Sequence, residues 1–266
     1  MKSLYSIIIS AIILINALPI HAQQSLYVLT DGAGITRQSL LPFTSDNKVD
    51  PNLIRAAWNA DNHIVSAGYT VHGLQISIAS HPTWGNQTYT LTDSIPSDFI
   101  SNVMDKGYMI TELASNGSQW LVVATTDTQY KYQQLYCFTT PKTDDEMKLI
   151  KDSFAALAEY EFYITDCTYC KATDTWTVVA SNSGFPMSQV WDFLFSPNDV
   201  INFFNTHQGE GYRFSAIDYG NGRYLTVMTR HSRYALGQTI SINYPNPNAL
   251  FSNYWNKGYI ITQIGH

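Results

Sequence analysis

Two acidic side chains stand at matching places in a repeated pattern of this 266-residue chain. Glu112 and Asp166 fall at the same repeat position. The other copies have Ala67, Ala216 and Gln263 there, with Asp218 two residues further on in its copy. Glycosidases need two carboxylates that flank the scissile bond, one of them with a raised pKa. The pair is therefore a candidate catalytic site, and the alternative is that both acids are solvated at hairpin ends.

A second recurring feature is an aromatic side chain shortly before a repeated glutamine. The loops that carry it contain Trp84, Tyr130 with Tyr132, Phe185 and Tyr234, whereas the first copy has only Ile35. Loops on a rigid scaffold concentrate binding residues. Aromatic faces beside amides and hydroxyls suit sugar rings, which have apolar C–H faces and outward hydroxyls. The pattern predicts sugar binding on one rim of the molecule, and the alternative is that these rings merely cover the ends of the sheets.

The repeated glutamine opens a strand in all five copies, as Gln38, Gln87, Gln134, Gln189 and Gln238. At a fixed strand position it could satisfy backbone groups of a neighbouring unit, because buried polar groups are hydrogen-bonded. It could instead point into a ligand site repeated around the array. The structural role is favoured, since every copy keeps the glutamine while the loops beside it vary.

Other chemistries have weaker support. The sequence has no G-x-S-x-G or H-E-x-x-H motif, and its histidines lack metal-ligand spacing, so we expect no metal and no cofactor. Cys167 and Cys170 have the redox C-x-x-C spacing, but they fall in a predicted strand and turn instead of at a helix N-terminus. We expect inert packing, or one structural disulfide, with Cys167 at a buried apolar position.

Five short amphipathic segments must position these residues. Each begins with proline, at Pro51, Pro96, Pro141, Pro197 and Pro247. Proline suits the first helical turn, and Asp50, Thr140, Ser196 and Asn246 stand where an N-cap belongs. Apolar residues then recur at three- and four-residue spacing, which predicts one helix per unit. The third helix is longer and runs to about Tyr160.

A common strand pattern follows each helix. Gly107, Gly211 and Gly258 each open a Gly-Tyr sequence that leads into a first strand, and Asn62 and Glu161 open degenerate versions. A glycine after a helix reverses the chain by adopting a positive φ. A turn and a second strand come next, starting at Trp120, Trp176 or Tyr224, and a longer loop leads to the glutamine strand.

The spacing of the units predicts a closed ring. Successive glutamines are 49, 47, 55 and 49 residues apart, and the two chain ends together supply about one further unit. Residues 25–43 would provide a second and a third strand, and residues 259–264 a first strand that joins them. We expect a mainly β fold, a five-bladed, propeller-like ring of three-stranded antiparallel units. The alternative is a fivefold α/β propeller of strand-strand-helix-strand units.

The pattern Gly-Tyr-x-Ile-Thr, then Trp-x-Val-Val, then Gln resembles uncharacterised repeat modules. Residues 107–126 and 211–229 carry the resemblance best. One such module follows the kinase domain of plant casein-kinase-like proteins, and a similar one precedes the catalytic domain of fungal polyglycine hydrolases. The resemblance implies a repeat domain whose relatives keep their chemistry in a different domain.

The N-terminal residues and the net charge limit the possible functions. Lys2, the apolar run of residues 7–18 and Ala22 predict a signal peptide over residues 1–22, with one domain over residues 23–266 and no later membrane span. Without the signal, 14 basic side chains face 21 acidic ones, which argues against nucleic acid. We therefore expect an exported binding module, periplasmic or extracellular, for a glycan or cell-surface polymer. The alternatives are a glycoside hydrolase that uses Glu112 and Asp166, and a protein-interaction scaffold.

Overall fold

The computed structural model describes residues 25–31, 36–41, 49–70, 73–185, 187–231, 238–242, 254–257 and 259–265. Within these residues the fold is mainly β, with five three-stranded antiparallel sheets and four helices. The predicted signal peptide, Tyr234 and the start of the fifth predicted helix at Pro247 lie outside them. Tyr254 and Trp255 of that segment are helical.

Four helices and fifteen strands have the following bounds. The helices are α1 Pro51–Asn59, α2 Ser97–Asp105, α3 Asp144–Glu159 and α4 Pro197–Gln208. The first eight strands are β1 Leu26–Asp31, β2 Thr36–Leu40, β3 His63–Thr70, β4 Gly73–Ser80, β5 Gln87–Thr92, β6 Met109–Ser115, β7 Trp120–Thr125 and β8 Tyr132–Thr139. The others are β9 Tyr163–Cys170, β10 Thr175–Asn182, β11 Met187–Leu194, β12 Arg213–Gly220, β13 Arg223–His231, β14 Gln238–Ile242 and β15 Tyr259–Gly265.

The helix N-termini follow the capping prediction in two cases and depart from it in a third. Asp50 accepts a backbone N–H at the start of α1, and Ser196 does so at the start of α4. Helix α3 is capped by Thr143 and not by the predicted Thr140. The physical reason is Glu146, whose carboxylate accepts the backbone N–H of Thr143 while the Thr143 hydroxyl accepts that of Glu146, a reciprocal capping box.

The chain leaves each helix through one residue with a positive φ. Gly107 and Gly211 hold this position with φ of 80° and 88°, as predicted, and Glu161 holds it with φ of 59°. In the first copy the residue is Asp61, also at 59°, and not Asn62. The first copy is therefore shifted by one residue from the predicted alignment.

Each sheet except one is built from one continuous segment. The glutamine strand, a helix, the first strand and the second strand follow one another, as in β5, α2, β6 and β7, and the sheet order is β5-β7-β6. The prediction that β1, β2 and β15 share a sheet is wrong. Strand β1 lies between β14 and β15, while β2 pairs with β4. Repeat spacing alone does not specify whether a glutamine strand pairs with the copy before it or after it.

The first strands share a local irregularity and contact one another between sheets. Each has one extra residue opposite its middle-strand partner, a β-bulge; these residues are Val65, Thr111, Thr165, Ser215 and Thr262. Strand β3 contacts β6 and β15, and β9 contacts β6 and β12, while β12 also contacts β15. The five first strands thus contact one another in a continuous order.

Apolar side chains fill the space between neighbouring sheets and under the helices. In the largest cluster among the described residues, Trp176 of β10 is fully buried, and Phe154 of α3 and Phe193 of β11 belong to the same cluster. The rings of Trp176 and Phe193 have centroids 5.5 Å apart. Such contacts between successive sheets hold the loop ends and the first strands in place, so the candidate site residues stand on a packed scaffold.

Candidate functional site

Four of the five repeated glutamines join their own sheet to the first strand of a neighbouring sheet. Gln87 of β5 donates from Nε2 to the backbone oxygen of Ile64 and accepts the backbone N–H of Ile64, at 3.0 and 2.7 Å. Gln189 and Gln238 bind Ile164 and Phe214 in the same way, and Gln38 binds Ile261. The amide takes the place of a strand partner beside each bulge, which is the structural role favoured from the sequence.

In the third copy the bridging residue is Gln133, and the prediction of Gln134 is wrong. Gln133 is buried and exchanges two hydrogen bonds with the backbone of Ile110, at 2.6 and 2.8 Å. Gln134 is exposed and accepts the hydroxyl of Tyr136. Adjacent strand residues point to opposite faces, so only one of two consecutive glutamines meets the preceding sheet.

A pair of hydroxyls accompanies four of these glutamines, a feature that the sequence analysis missed. Gln189 Nε2 donates to Thr229 Oγ1 at 2.7 Å, and Thr229 Oγ1 donates to Ser215 Oγ at 2.8 Å. The same chain of contacts occurs as Gln87–Thr125–Thr111, Gln133–Ser181–Thr165 and Gln238–Thr30–Thr262. The last residue of each set is the bulge residue. In three copies it is the Thr or Ser that closes the Gly-Tyr motif, so the recurring hydroxyl was the available signal.

The structure brings Glu112 and Asp166 together with Asp218 in a buried carboxylate cluster. Glu112 accepts the N–H of Ala67 on β3, at 3.0 Å, and Asp166 accepts the N–H of Leu113 on β6. Asp218 accepts the N–H of Tyr169 on β9, at 2.9 Å. Each carboxylate therefore ties its own first strand to the preceding one. By the positions of the bulges, the equivalent of Glu112 in the first copy is Ser66, and not Ala67 as predicted.

Burial dominates the protonation of this carboxylate cluster. Loss of hydration raises the pKa of Glu112 well above its ordinary value, and the neighbouring Asp166 raises it further. Burial likewise raises the pKa of Asp166, against the backbone N–H groups of Cys167 and Leu113, which lower it. A raised carboxyl pKa is the property expected of a general acid, and it arises here from packing between strands.

The space beside the carboxylate cluster is too small for a sugar. Asp166 and Asp218 line a cavity of about 10 Å³, together with Ala67, Leu113 and Ile264. A cavity of this volume accepts about one water molecule. In the part of the chain that the structure describes, Glu112 and Asp166 therefore bind backbone groups of neighbouring strands and do not face a substrate-sized opening.

The predicted loop aromatics have different environments. Trp84 is half-buried and stacks on His81, with ring centroids 4.1 Å apart. Burial lowers the pKa of His81 to about 4, with a smaller contribution from His63, so His81 is uncharged at neutral pH. Phe185 is half-buried, and Tyr132 is 67% exposed at the start of β8. The loop aromatics therefore do not form equivalent sites.

Tyr130 lines a cavity, which we name the Tyr130 pocket. It has a volume of about 210 Å³ and lies where β9 and β12 meet the loop before β8; its walls are Gln129, Tyr130, Tyr163, Thr165, Met187, Arg213, Phe214, Ser215 and Thr229. Thr165 and Ser215 are bulge residues, and bulges often redirect side chains near binding sites. The pocket thus combines aromatic, hydroxyl and cationic groups on adjoining first strands.

A larger groove is lined by residues of two helices and two strands, and we name it the helical groove. It has a volume of about 730 Å³ between α3, β11 and α4. Phe154, Phe162, Trp191 and Phe203 supply aromatic walls, and Lys151 and His207 also line it. No motif in the sequence analysis pointed to this groove.

The three cysteines are free thiols. Cys167 is 3% exposed and packs in the cluster that contains Trp176, which confirms the predicted buried apolar position. Cys170 is also buried but packs in the neighbouring cluster that contains Trp120. Burial, followed by the charges of Asp218 and Asp166, raises the pKa of Cys167 well above its ordinary value, which disfavours a reactive thiolate.

Within the described ranges, no group of three or more His, Cys, Asp or Glu side chains is arranged to hold a metal ion. Over the same residues, none of the helices has the length and hydropathy that crossing a bilayer would require.

Taken together, the described residues define a mainly β repeat protein of five three-stranded sheets with glutamine-bridged junctions. A family described as a domain of unknown function (DUF7477) matches residues 12–144, half of the chain, and the chain belongs to this family. Neither the curated proteins nor the solved structures include a match.

Proposed function

We propose that this chain is an exported, non-catalytic binding module for carbohydrate, with its principal site in the Tyr130 pocket. The observation that carries the proposal is the composition of that pocket. Three aromatic side chains, the hydroxyls of two threonines and a serine, and one arginine line a cavity of about 210 Å³. This volume is below the ~300–1,000 Å³ of sites for drug-sized ligands, and it suits one sugar ring of a longer chain.

The proposed scaffold is a closed, five-bladed, propeller-like ring. It is supported by the order of contacts among the first strands, β3 to β6 to β9 to β12 to β15 and back to β3. It is also supported by the sheet β14-β1-β15, which joins the two ends of the described chain. Radial closure leaves short, protected edges and one rim of loops, and Tyr130 stands on such a loop.

The export part of the proposal rests on residues 1–22, whose charge and apolar run are those of a signal peptide. A carbohydrate-binding module would meet cell-surface or environmental polysaccharide only after export. Expression of the full chain, followed by fractionation and N-terminal sequencing, tests this part. Retention in the cytoplasm with Met1 intact would contradict it.

The binding proposal is tested on an array of immobilised glycans with the purified protein and two matched variants. Tyr130→Ala removes the ring that lines the pocket, whereas Tyr132→Ala removes an exposed ring that does not line it. We expect Tyr130→Ala to weaken binding about tenfold, or roughly 1.4 kcal/mol, and Tyr132→Ala to leave it near the wild-type value. Equal retention by all three proteins, or no retained glycan at all, overturns the proposal.

A second candidate function, protein interaction, has its own observation in the helical groove. Its volume of about 730 Å³ and its aromatic walls suit apolar side chains of a partner. Trp191→Ala would weaken such binding and leave glycan retention unchanged, which separates the two candidates. Glycoside hydrolysis by Glu112 and Asp166 has less support, because both carboxylates hold backbone N–H groups beside a cavity that admits about one water molecule.

A further inference from the structure

We infer that the Tyr130 pocket selects sugar rings that carry a negative charge, with Arg213 as the residue that recognises the anion; this inference rests on the proposed carbohydrate site. The charge of the pocket wall supports it first. Among the residues that line the pocket, Arg213 is the one charged side chain. A ligand anion would therefore meet a cation and no carboxylate on the walls.

The position of Arg213 is specific to one junction. Arg213 and Tyr163 stand at equivalent places, each directly before the residue that a bridging glutamine binds. The first two copies have His63 and Met109 at this place. The recurring fold thus presents a different side chain at each junction, and it presents a guanidinium beside Tyr130.

The guanidinium of Arg213 is held in place by backbone groups. Its Nη1 donates to the carbonyl oxygens of Gln208 and Tyr212, at 3.0 and 2.6 Å, at the C-terminal end of α4. A side chain that is already ordered loses less entropy when a ligand arrives, which favours binding. The positive charge attracts an anion whichever of its N–H donors are engaged elsewhere.

The Thr229 and Ser215 hydroxyls of the pocket can accept a hydrogen bond from a ligand, but their own protons are already donated within the protein. Thr229 donates its proton to Ser215, and Ser215 donates its own to the backbone oxygen of Ile164, at 2.8 and 3.2 Å. A hydroxyl has one proton and two acceptor positions. Thr229 already accepts from Gln189, and Ser215 accepts from Thr229, so each oxygen keeps one acceptor position for a ligand. A sulfate or chloride ion offers no donor, whereas a sugar offers several. A ring with hydroxyls and one carboxylate or sulfate ester matches the donors, acceptors and charge of the pocket.

The test compares three immobilised polymers at the same low ionic strength. Two are charged: a polyuronate, and a polysaccharide whose only charges are sulfate esters. The third is the fully methyl-esterified polyuronate, which is neutral. We expect the protein to bind at least one charged polymer about tenfold more tightly than the neutral ester, because charge-assisted hydrogen bonds are stronger than neutral ones. The two charged polymers show whether carboxylate or sulfate is the preferred anion. Equal binding of all three polymers overturns this inference and leaves the proposed function standing. Binding of none overturns both.

Two further measurements assign the preference to Arg213. Arg213→Gln should abolish the difference between charged and neutral polymers, while Arg213→Lys should keep part of it. Since loss of Arg213 also removes its two hydrogen bonds to the backbone oxygens of Gln208 and Tyr212, the wild-type protein is measured in rising salt as well. Binding of the charged polymer should weaken with salt, and binding of the neutral ester should not. A preference that survives in folded Arg213→Gln, or that is independent of salt, overturns the assignment.

Discussion

At the scale of single residues, the positions of positive φ after the helices offer a matched comparison. In two copies a glycine, Gly107 or Gly211, adopts this conformation. In two others Asp61 and Glu161 adopt it, although each carries a side chain. The left-handed region costs a non-glycine residue about 1–2 kcal/mol, because Cβ approaches the backbone. The two copies without glycine therefore store strain that the other two avoid.

The first prediction is that these positions respond to substitution in opposite directions. A Cβ at Gly107 would have no atom within 4 Å, so Gly107→Ala tests conformation without a clash. We expect Gly107→Ala to lower the free energy of unfolding by about 1 kcal/mol and Glu161→Gly to raise it by a similar amount. Urea unfolding of both variants checks this, and a destabilised Glu161→Gly would contradict it.

The second prediction concerns the pH dependence of stability that Glu112 confers. Because burial and Asp166 raise its pKa in the folded state, the folded protein holds this proton more tightly than the unfolded chain. The contribution of Glu112 to stability is fully present below the pKa of the unfolded chain. It is lost as pH rises from there through the raised pKa of the folded state.

Glu112→Gln retains an oxygen for the N–H of Ala67 and removes the titration. Relative to the wild type, the variant should therefore gain stability as pH rises, with a slope of up to about 1.4 kcal/mol per pH unit, the value for one proton. Chemical unfolding of both proteins between pH 4 and pH 9 measures the difference. Curves that stay parallel over this range would show that Glu112 does not titrate as its environment requires.

At the scale of strands and helices, the bridging glutamines are the elements that connect one sheet to the next. Gln133 satisfies both backbone groups of Ile110, and its neighbour Gln134 is exposed on the opposite face of β8. The third prediction is that Gln133→Ala costs about 2–3 kcal/mol of stability, since it leaves a buried N–H and a buried carbonyl without their partner. Gln134→Ala, the adjacent control, should change stability by less than about 0.5 kcal/mol. Equal effects on the melting temperature would refute the bridging role.

The same pair shows which parts of the fold could be predicted from sequence. The five units, their helices and their strands follow from local patterns, because helix caps, turns and apolar periodicity act over a few residues. The choice between Gln133 and Gln134, or between Asp61 and Asn62, depends on which face meets the preceding sheet. A shift of one residue moves a side chain to the other face, and spacing within one chain cannot resolve it.

The candidate site, like the fold, could be predicted from the sequence only in part. The equivalence of Glu112 and Asp166 was visible in the repeat, and both lie one residue beyond a bulge. Their burial was not visible, because it depends on how closely the first strands approach one another. The Tyr130 pocket also depends on how two sheets meet, since Thr165 and Ser215 belong to different sheets.

At the scale of the whole molecule, the fourth prediction concerns the last strand. Strand β15 pairs with β1 and contacts β3. The packing between β3 and β15 is close, because a Cβ at Gly68 would lie 2.1 Å from the backbone oxygen of Ile264. Deleting residues 259–266 should expose an edge of β1 and cause aggregation. Light scattering and thermal unfolding measure this, and a monomer with an unchanged melting temperature would contradict the proposed closure.

Gly68→Ala is a subtler version of the same experiment. It should destabilise the protein because the added methyl group meets the backbone oxygen of Ile264, while Gly209→Ala, where a Cβ would meet nothing within 4 Å, is the control. Thermal unfolding of the two variants separates a loss of packing at the junction of β3 and β15 from a general effect of replacing glycine.

The position of β1 between β14 and β15 has a consequence for how the protein is made. Synthesis runs from the N-terminus, so β1 leaves the ribosome before either of its partner strands has been translated. Four sheets have all their strands available as soon as one continuous segment has emerged, but this strand must wait with both edges unpaired. During that interval β1 is open to pairing with other chains along both edges, and a holding chaperone that recognises extended apolar peptide would protect it.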